Sequence, residues 1–228
     1  MPPETLPDWD ADSPGLREKL TKLLQSAEEE ARLRIQPTVE AARRWQAEMM
    51  RDLRAVPEYI GAFRGEPGLE EVQVRVGTQY GVAAEEVSKA LRDFEHRLQS
   101  AVAYLDGLIP PRTEPSGDQI GAIIEICAWT HAEWVRMHPF ANGNGRTARL
   151  WANTLAMRYG LPPFVRLRPR PDGNYGIVSQ KAMLGDGPVT KRSLKAWKAE
   201  KPERRLRASR LAVPRAGVPA MDLRRAGE

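Results

Sequence analysis

The amino-acid sequence predicts a mainly α-helical domain that carries one small β-hairpin, and three observations lead there. Apolar residues recur at three- and four-residue spacing over most of the stretch from Leu16 to Tyr159. One segment alone, Val72-Gln-Val74-Arg-Val76-Gly77, alternates apolar and polar at period two. Between two of the helical stretches lies a glycine-rich segment, His138 to Arg149, dense in residues that carry chemistry.

In chain order, residues 1–15 hold prolines and aspartates and are expected to form a flexible arm. Leu16, Leu20, Leu23, Leu24, Ala27 and Ala31 mark one face of a first helix, which Pro37 interrupts. A second helix is expected to run to about Val56, with Val39, Ala42, Trp45, Met49 and Leu53 inward. Residues 16–56 thus supply N-terminal helices that pack in part on a core domain expected over 39–197. Tyr59 to Gly68 leads into the alternating segment, which reads as a hairpin. Helix returns over Ala83–Leu105, where Val87, Leu91, Phe94, Leu98 and Val102 share a face. After a loop marked by Pro110-Pro111 and Pro115, a helix over Asp118–Met137 delivers His138. The next helix spans about Arg146 to Tyr159 and stops at Gly160-Leu161-Pro162-Pro163. A Pro-rich crossing over Leu161–Arg170, a helix over Asn174–Leu184 and a further one from Lys191 to about Lys198 complete the pattern.

Composition narrows the class. At 228 residues, 41% hydrophobic and 29% charged, the chain can bury a good core and still carry polar extensions. A single cysteine, Cys127, excludes an internal disulfide framework and fits a reducing compartment. The acidic, Pro-rich N-terminus does not read as a signal peptide, and no run of eighteen apolar residues spans a membrane, so a cytoplasmic location is expected. Residues 191–228 hold twelve Lys or Arg against four acids, a net of +8 in a chain of +5 overall. The basic character therefore belongs to the tail, of which 198–228 lies beyond the core. That charge would attract nucleic acid. No aromatic beyond Trp197 interleaves the arginines for base stacking, so a solvated tail is the favoured reading.

The segment His138-Pro-Phe140-Ala-Asn142-Gly143-Asn144-Gly145-Arg146-Thr-Ala-Arg149 divides by chemistry. His138 has the side-chain type that exchanges a proton near neutral pH. Gly143 and Gly145 let backbone N–H groups approach an anion, and Asn144 lies between them. Arg146 and Arg149, three apart, share a helix face. A glycine-rich turn feeding a helix N-terminus with two arginines suits phosphate. A base beside it suggests transfer of a phosphorus-bearing group to a hydroxyl.

This segment resembles the signature of the Fic family, His-x-Phe-x-(Asp/Glu)-Gly-Asn-Gly-Arg-x-x-Arg, and His131-Ala-Glu-Trp134-Val-Arg-Met137 resembles the approach to it. The resemblance implies a Fic-type helical bundle with a β-hairpin flap. It also implies transfer of a nucleotidyl group, AMP from ATP, to a Ser, Thr or Tyr hydroxyl of a target protein. His138 would be the general base; Gly143, Asn144, Gly145, Arg146 and Arg149 would hold the phosphates. Phe140 would anchor the loop with Trp134 in support. Gly61-Ala-Phe63-Arg64 with Val72 and Val74 resembles the flap that registers the target. Doc-type relatives carry Ala-Asn-Lys and phosphorylate instead; Gly143-Asn144-Gly145-Arg146 points to nucleotide transfer. Asn142 departs from the pattern, because the family places an acidic Mg²⁺ ligand there and an amide supplies no charge. A nucleotide-holding module without catalysis is therefore the alternative. Family inhibition by (Ser/Thr)-x-x-x-Glu-(Gly/Asn) is approximated by Ser26-Ala-Glu-Glu-Glu30-Ala31, where Glu30 would pair with Arg149. A separate small inhibitor protein is the other arrangement the resemblance implies.

Overall fold

The computed structural model describes residues 15–51, 56–76, 78–168 and 175–184. The expected helix at 191–198, the arm over 1–14 and the basic tail lie outside these residues.

The apolar spacing produces six α-helices among them: α1 (Leu16–Arg32), α2 (Val39–Met50), α3 (Ala84–Leu108), α4 (Gly117–Met137), α5 (Asn144–Arg158) and α6 (Tyr175–Met183). Two of them start at side-chain caps. The Thr38 hydroxyl caps α2 by accepting from the Ala41 N–H at 3.3 Å. Ser116 and Gln119 form a reciprocal capping box at α4, satisfying two N–H groups that the helix cannot. The buried stripes follow the expected residues: Leu16, Leu20, Leu23, Ala27 and Ala31 on α1, and Val87, Leu91, Phe94, Leu98 and Val102 on α3.

Helix α5 is the centre. It packs along α4 and against α1 and α2, and twelve of its fifteen residues are buried, so it lacks the solvated face of a surface helix. Around it an aromatic chain fills the core. Trp45 meets Trp151 edge-on at 4.7 Å, and Trp151 meets Trp134 at 6.0 Å. Trp134 lies 5.9 Å from Phe140, and Phe140 stacks on Phe63 at 4.7 Å. Such pairs each add about 1 kcal/mol beyond their buried area. At the far end of α5, Arg158 donates to Asp106 of α3 at 2.6 Å and to the carbonyls of Arg34 and Ile35 at 3.0 and 2.8 Å. This ties the α1–α2 connection to the bundle.

The hairpin is shorter than its alternation suggests. Strand β1 (Arg75–Val76) pairs antiparallel with β2 (Gln79–Tyr80), Arg75 opposite Tyr80 and Val76 opposite Gln79. The Gly81 N–H extends the pairing to the Val74 carbonyl at 3.0 Å. Val72 stays outside the ladder because its N–H turns back to the Leu69 carbonyl and its own carbonyl accepts from Arg64.

Arg64 corrects a second expectation. With Phe63 it was assigned to the exposed flap, yet Phe63 is 4% and Arg64 2% exposed. The Arg64 guanidinium donates to the carbonyls of His138 (2.7 Å), Met137 (3.0 Å), Val82 (2.7 Å) and Val72 (3.2 Å). Its backbone N–H reaches the Pro139 carbonyl at 2.8 Å, and Phe63 forms a β-bridge with Phe140. These two residues clamp the hairpin stems to the end of α4; neither can meet a target. Arg64→Met should lower the unfolding free energy by about 3 kcal/mol or more, since it strands buried carbonyls. Arg64→Lys, a point donor without the planar fork, should recover little of that. Denaturant midpoints of both variants check this, and a Lys form as stable as the parent would show that the fork is dispensable.

Candidate active site

At the C-terminal end of α4 the helix stops because His138 adopts a left-handed conformation, φ 48° and ψ 56°. The chain then turns through Pro139–Asn142 and re-enters helix at Gly143, whose φ of 88° suits glycine. Two left-handed residues thus bracket the connection from α4 to α5. The Asn144 side chain closes it: Oδ1 accepts from the Phe140 N–H at 2.9 Å and Nδ2 donates to the Phe140 carbonyl at 2.7 Å. Asn144 was expected to hold phosphate with its side chain. With both polar ends committed to Phe140 it shapes the loop instead, and only its backbone N–H remains for an anion. Phe140 is fully buried.

His138, Asn142, Gly143, Asn144, Gly145, Arg146 and Arg149 come together around one cavity of about 310 Å³, which Val74, Val76, Val135, Leu167, Arg168 and Ser179 also line. Val74 and Val76 form its hairpin wall; Val72 does not reach it. Its floor is the start of α5, where the first N–H groups have no acceptor one turn earlier and carry the positive end of the helix dipole. The first intrahelical bond runs from Thr147 N–H to the Gly143 carbonyl at 3.0 Å. Arg149 donates to the Leu167 carbonyl at 2.8 Å, which brings the crossing segment and Arg168 to the cavity. Asn153 supports it, accepting from the N–H groups of Phe164 and Val165 at 3.1 and 2.9 Å.

The state of His138 follows from its contacts. Nδ1 lies 2.6 Å from the Val135 carbonyl, a group that only accepts, so Nδ1 carries the proton and Nε2 keeps its lone pair. Burial holds its pKa below the usual histidine value, the Val135 carbonyl pulls the other way, and the Arg64 charge adds to the lowering. His138 is therefore neutral at neutral pH, the form in which it can accept a proton. His131, one turn of α4 from Val135, is pushed down to about 4 by burial and then by Arg149.

The described residues lining this cavity hold no Mg²⁺ ligand set. Asn142 spends its side-chain oxygen on the Gly143 N–H. No carboxylate is among the described lining residues, and no cluster of three His, Cys, Asp or Glu occurs among the described residues. The donor set does not fit a protein-built site for a hard cation, which takes oxygen ligands and favours carboxylates.

Sequence reasoning missed Gln46. It is fully buried on α2, donates to the carbonyls of Tyr59 (3.0 Å) and Asn142 (3.3 Å) and accepts from the Gly61 N–H at 2.6 Å. It fixes the motif loop to the chain entering the hairpin. The available signal was a polar residue beside Trp45 within an apolar stripe. Arg43, also missed, bonds both oxygens of Glu66 at 2.8 and 2.5 Å and lies over the Phe63 ring at 4.2 Å. The expected Glu30–Arg149 contact is overturned: Glu30 pairs with Arg44 at 3.6 Å and borders Thr154 and Arg158, toward the other end of α5.

The family model described as Fic/DOC family matches residues 36–156. The chain belongs to the Fic/DOC family. It is 35% identical over 91 residues to a protein named "Protein adenylyltransferase Fic" from Nematostella vectensis, covering 33% of this chain and 21% of that one. A protein of the same name from Aedes aegypti is 36% identical over 93 residues, 41% of this chain and 16% of that one. The chain therefore matches about a fifth of the length of these relatives. Among solved structures, a Fic domain containing signaling protein from Bacteroides thetaiotaomicron VPI-5482 superposes with a TM-score of 0.51 at 19% identity, over 75% of this chain and 53% of that one. BepC, a VirB-translocated Bartonella effector protein from Bartonella tribocorum with bound AMPPNP, gives 0.52 at 18% identity, over 82% and 89%. At such identities the likeness is one of fold: a helical Fic domain with a two-stranded antiparallel sheet. No described helix is long and apolar enough to cross a membrane.

The depressed histidines make stability depend on pH with a definite sign. A folded-state pKa below the unfolded value means that the unfolded chain binds more protons on acidification. Stability should therefore fall as pH drops below about 6.5, and for His131 this continues to about 4. In that window His131 contributes a slope of up to about 1.4 kcal/mol per pH unit. His131→Asn should remove one proton's worth of slope from denaturant-derived stabilities between pH 6.5 and 4.5. An unchanged slope would mean that His131 is not the buried neutral group described.

Proposed function

We propose that the chain transfers AMP from ATP to a Ser, Thr or Tyr hydroxyl of a protein. The observation that carries the reading is the pairing of a neutral imidazole, Nε2 unprotonated, with a helix N-terminus and two arginines in one cavity. His138 Nε2 takes the hydroxyl proton while the hydroxyl oxygen bonds the α-phosphorus. The bond from that phosphorus to the oxygen bridging to the β-phosphate breaks, and pyrophosphate leaves. General base catalysis of this kind contributes about 10²- to 10⁴-fold. Arg146 and Arg149 neutralise charge growing on the leaving phosphates, and the α5 N–H groups supply fixed dipoles that need no rearrangement. Val74 and Val76, beside His138, face the arriving target, and the short ladder leaves main-chain groups next to them for an extended segment. The names of the relatives favour adenylyl transfer over phosphoryl transfer, as does Gly145-Arg146.

A second reading has one observation behind it: with Asn142 there is no carboxylate among the described residues lining the cavity, which suits a module that holds nucleotide without turning it over. One experiment separates them. With labelled ATP, His138→Ala should abolish labelling of protein while nucleotide affinity, read by calorimetry, stays within about threefold, because the base acts on the target hydroxyl. Equal loss of binding and transfer would remove His138 from its role; binding without labelling in the parent chain would favour the second reading. Asn142→Asp places a carboxylate beside the phosphates. ATP affinity should then fall in EDTA and recover with added Mg²⁺, whereas the parent should respond less. Superimposable metal titrations would place residue 142 away from the phosphates.

A further inference from the structure

Ser179 on α6 is 5% exposed and lines the cavity. A serine inside a helix usually returns its hydroxyl to the carbonyl one turn back, as Thr130, Thr147 and Thr154 do here at 2.7, 3.1 and 2.8 Å. Ser179 makes no side-chain hydrogen bond to any described residue, and its hydroxyl is open to the cavity rather than sealed in the core. Its place in the cavity gives the rest. Arg146 and Arg149, with the α5 N-terminus, come from one element. The other elements that line the cavity bring Val74, Val76 and Val135 from the hairpin and α4, Leu167 and Arg168 from the crossing segment, and Ser179 from α6, which packs on α4 and β2. A molecule with its anionic end on α5 leaves its neutral end to those elements. There Ser179 is the one hydroxyl among the described lining residues, able to donate and accept at once.

We infer that Ser179 is a specificity-determining residue of this cavity, and that its hydroxyl bonds a sugar hydroxyl of the bound nucleotide. The assignment rests on the nucleotide-binding reading above. The chemistry fits, because a ribose hydroxyl both donates and accepts and so can pair with a serine that no described residue meets. A purely apolar wall would accept the nucleoside without distinguishing ribose from deoxyribose. A site that hydrogen-bonds a substrate hydroxyl rejects the analogue lacking it, since its own polar group is then left buried and unpaired.

The test measures equilibrium binding of ATP, 2′-deoxy-ATP, 3′-deoxy-ATP and inorganic tripolyphosphate to the full chain and to Ser179→Ala and Ser179→Thr. For ATP, Ser179→Ala should weaken binding by about three- to tenfold, the range of one neutral hydrogen bond. One of the two deoxy analogues should bind the parent and the Ala form equally, and tripolyphosphate should not respond. Ser179→Thr, which keeps the hydroxyl, should retain the preference for ATP over that analogue. Two results overturn the inference while leaving nucleotide binding intact: an Ala form that binds ATP like the parent, or one that weakens on all three nucleotides by the same factor. A parent chain that binds tripolyphosphate but none of the nucleotides would overturn both this assignment and the reading beneath it.

Discussion

Arg64 brings a full positive charge into the interior, and the fold meets it with four backbone carbonyls. Burial alone works against the charged form and holds the pKa below its ordinary value. What compensates is geometry. Two of the acceptors, Met137 and His138, end α4, where carbonyls have no intrahelical donor and the helix dipole is negative. The other two, Val72 and Val82, flank the hairpin. A single planar fork thus satisfies orphaned groups from two elements and fixes their spacing. The approach is close enough to constrain Gly81 as well, since a side chain there would lie 2.8 Å from the His138 Cβ and 3.0 Å from an Arg64 nitrogen. His138 and the hairpin wall are therefore held by one clamp. A change that loosens it should move both together.

The rest of the site is built on separate supports of the same type. Gln46 ties the Asn142 carbonyl to α2, Asn144 ties Phe140 to α5, and Asn153 with Arg149 ties the crossing segment to α5. In each case a side chain answers a main-chain group of an irregular segment, as a buried loop requires. The positive charge left at the cavity is then uncompensated by any carboxylate among the described lining residues. Such a cavity favours a polyanion.

Much of this was readable in the sequence, and the reasons differ by element. The helices were legible because Leu16, Val87 or Phe94 recur with the period of a buried face. The site was legible because His138, Gly143 and Arg146 lie within one short segment, so their proximity needs no knowledge of the fold. What failed was long-range. Phe63 and Arg64 resembled an exposed flap because a sequence shows an arginine but not four carbonyls converging on it from residues 72, 82, 137 and 138. Asn144 was given to phosphate because an amide between two glycines suits an anion loop equally well, and only the loop's path shows Phe140 taking both of its polar atoms. Glu30 has the right spacing from Ser26 yet faces the opposite end of α5, which one-dimensional spacing cannot encode. Ser179 carried no signal at all, since a serine in a helix is ordinary until its missing partner is seen.

His138 itself shows how local preference and chemistry conflict. The turn that ends α4 requires a positive φ, where glycine is free and a side chain costs about 1 kcal/mol or more. Glycine does take that conformation at Gly143, five residues later. At 138 an imidazole is kept in spite of the cost, and the surroundings bear on every part of it: the carbonyl on Arg64, the N–H on Trp134 and Nδ1 on Val135. The left-handed backbone turns the ring back onto the last turn of its own helix, and that contact sets the tautomer. A right-handed residue would continue α4 and carry the ring onward with it. The strain and the imidazole's protonation state thus have one origin: the conformation that disfavours histidine here is also the one that leaves Nε2 unprotonated at the cavity.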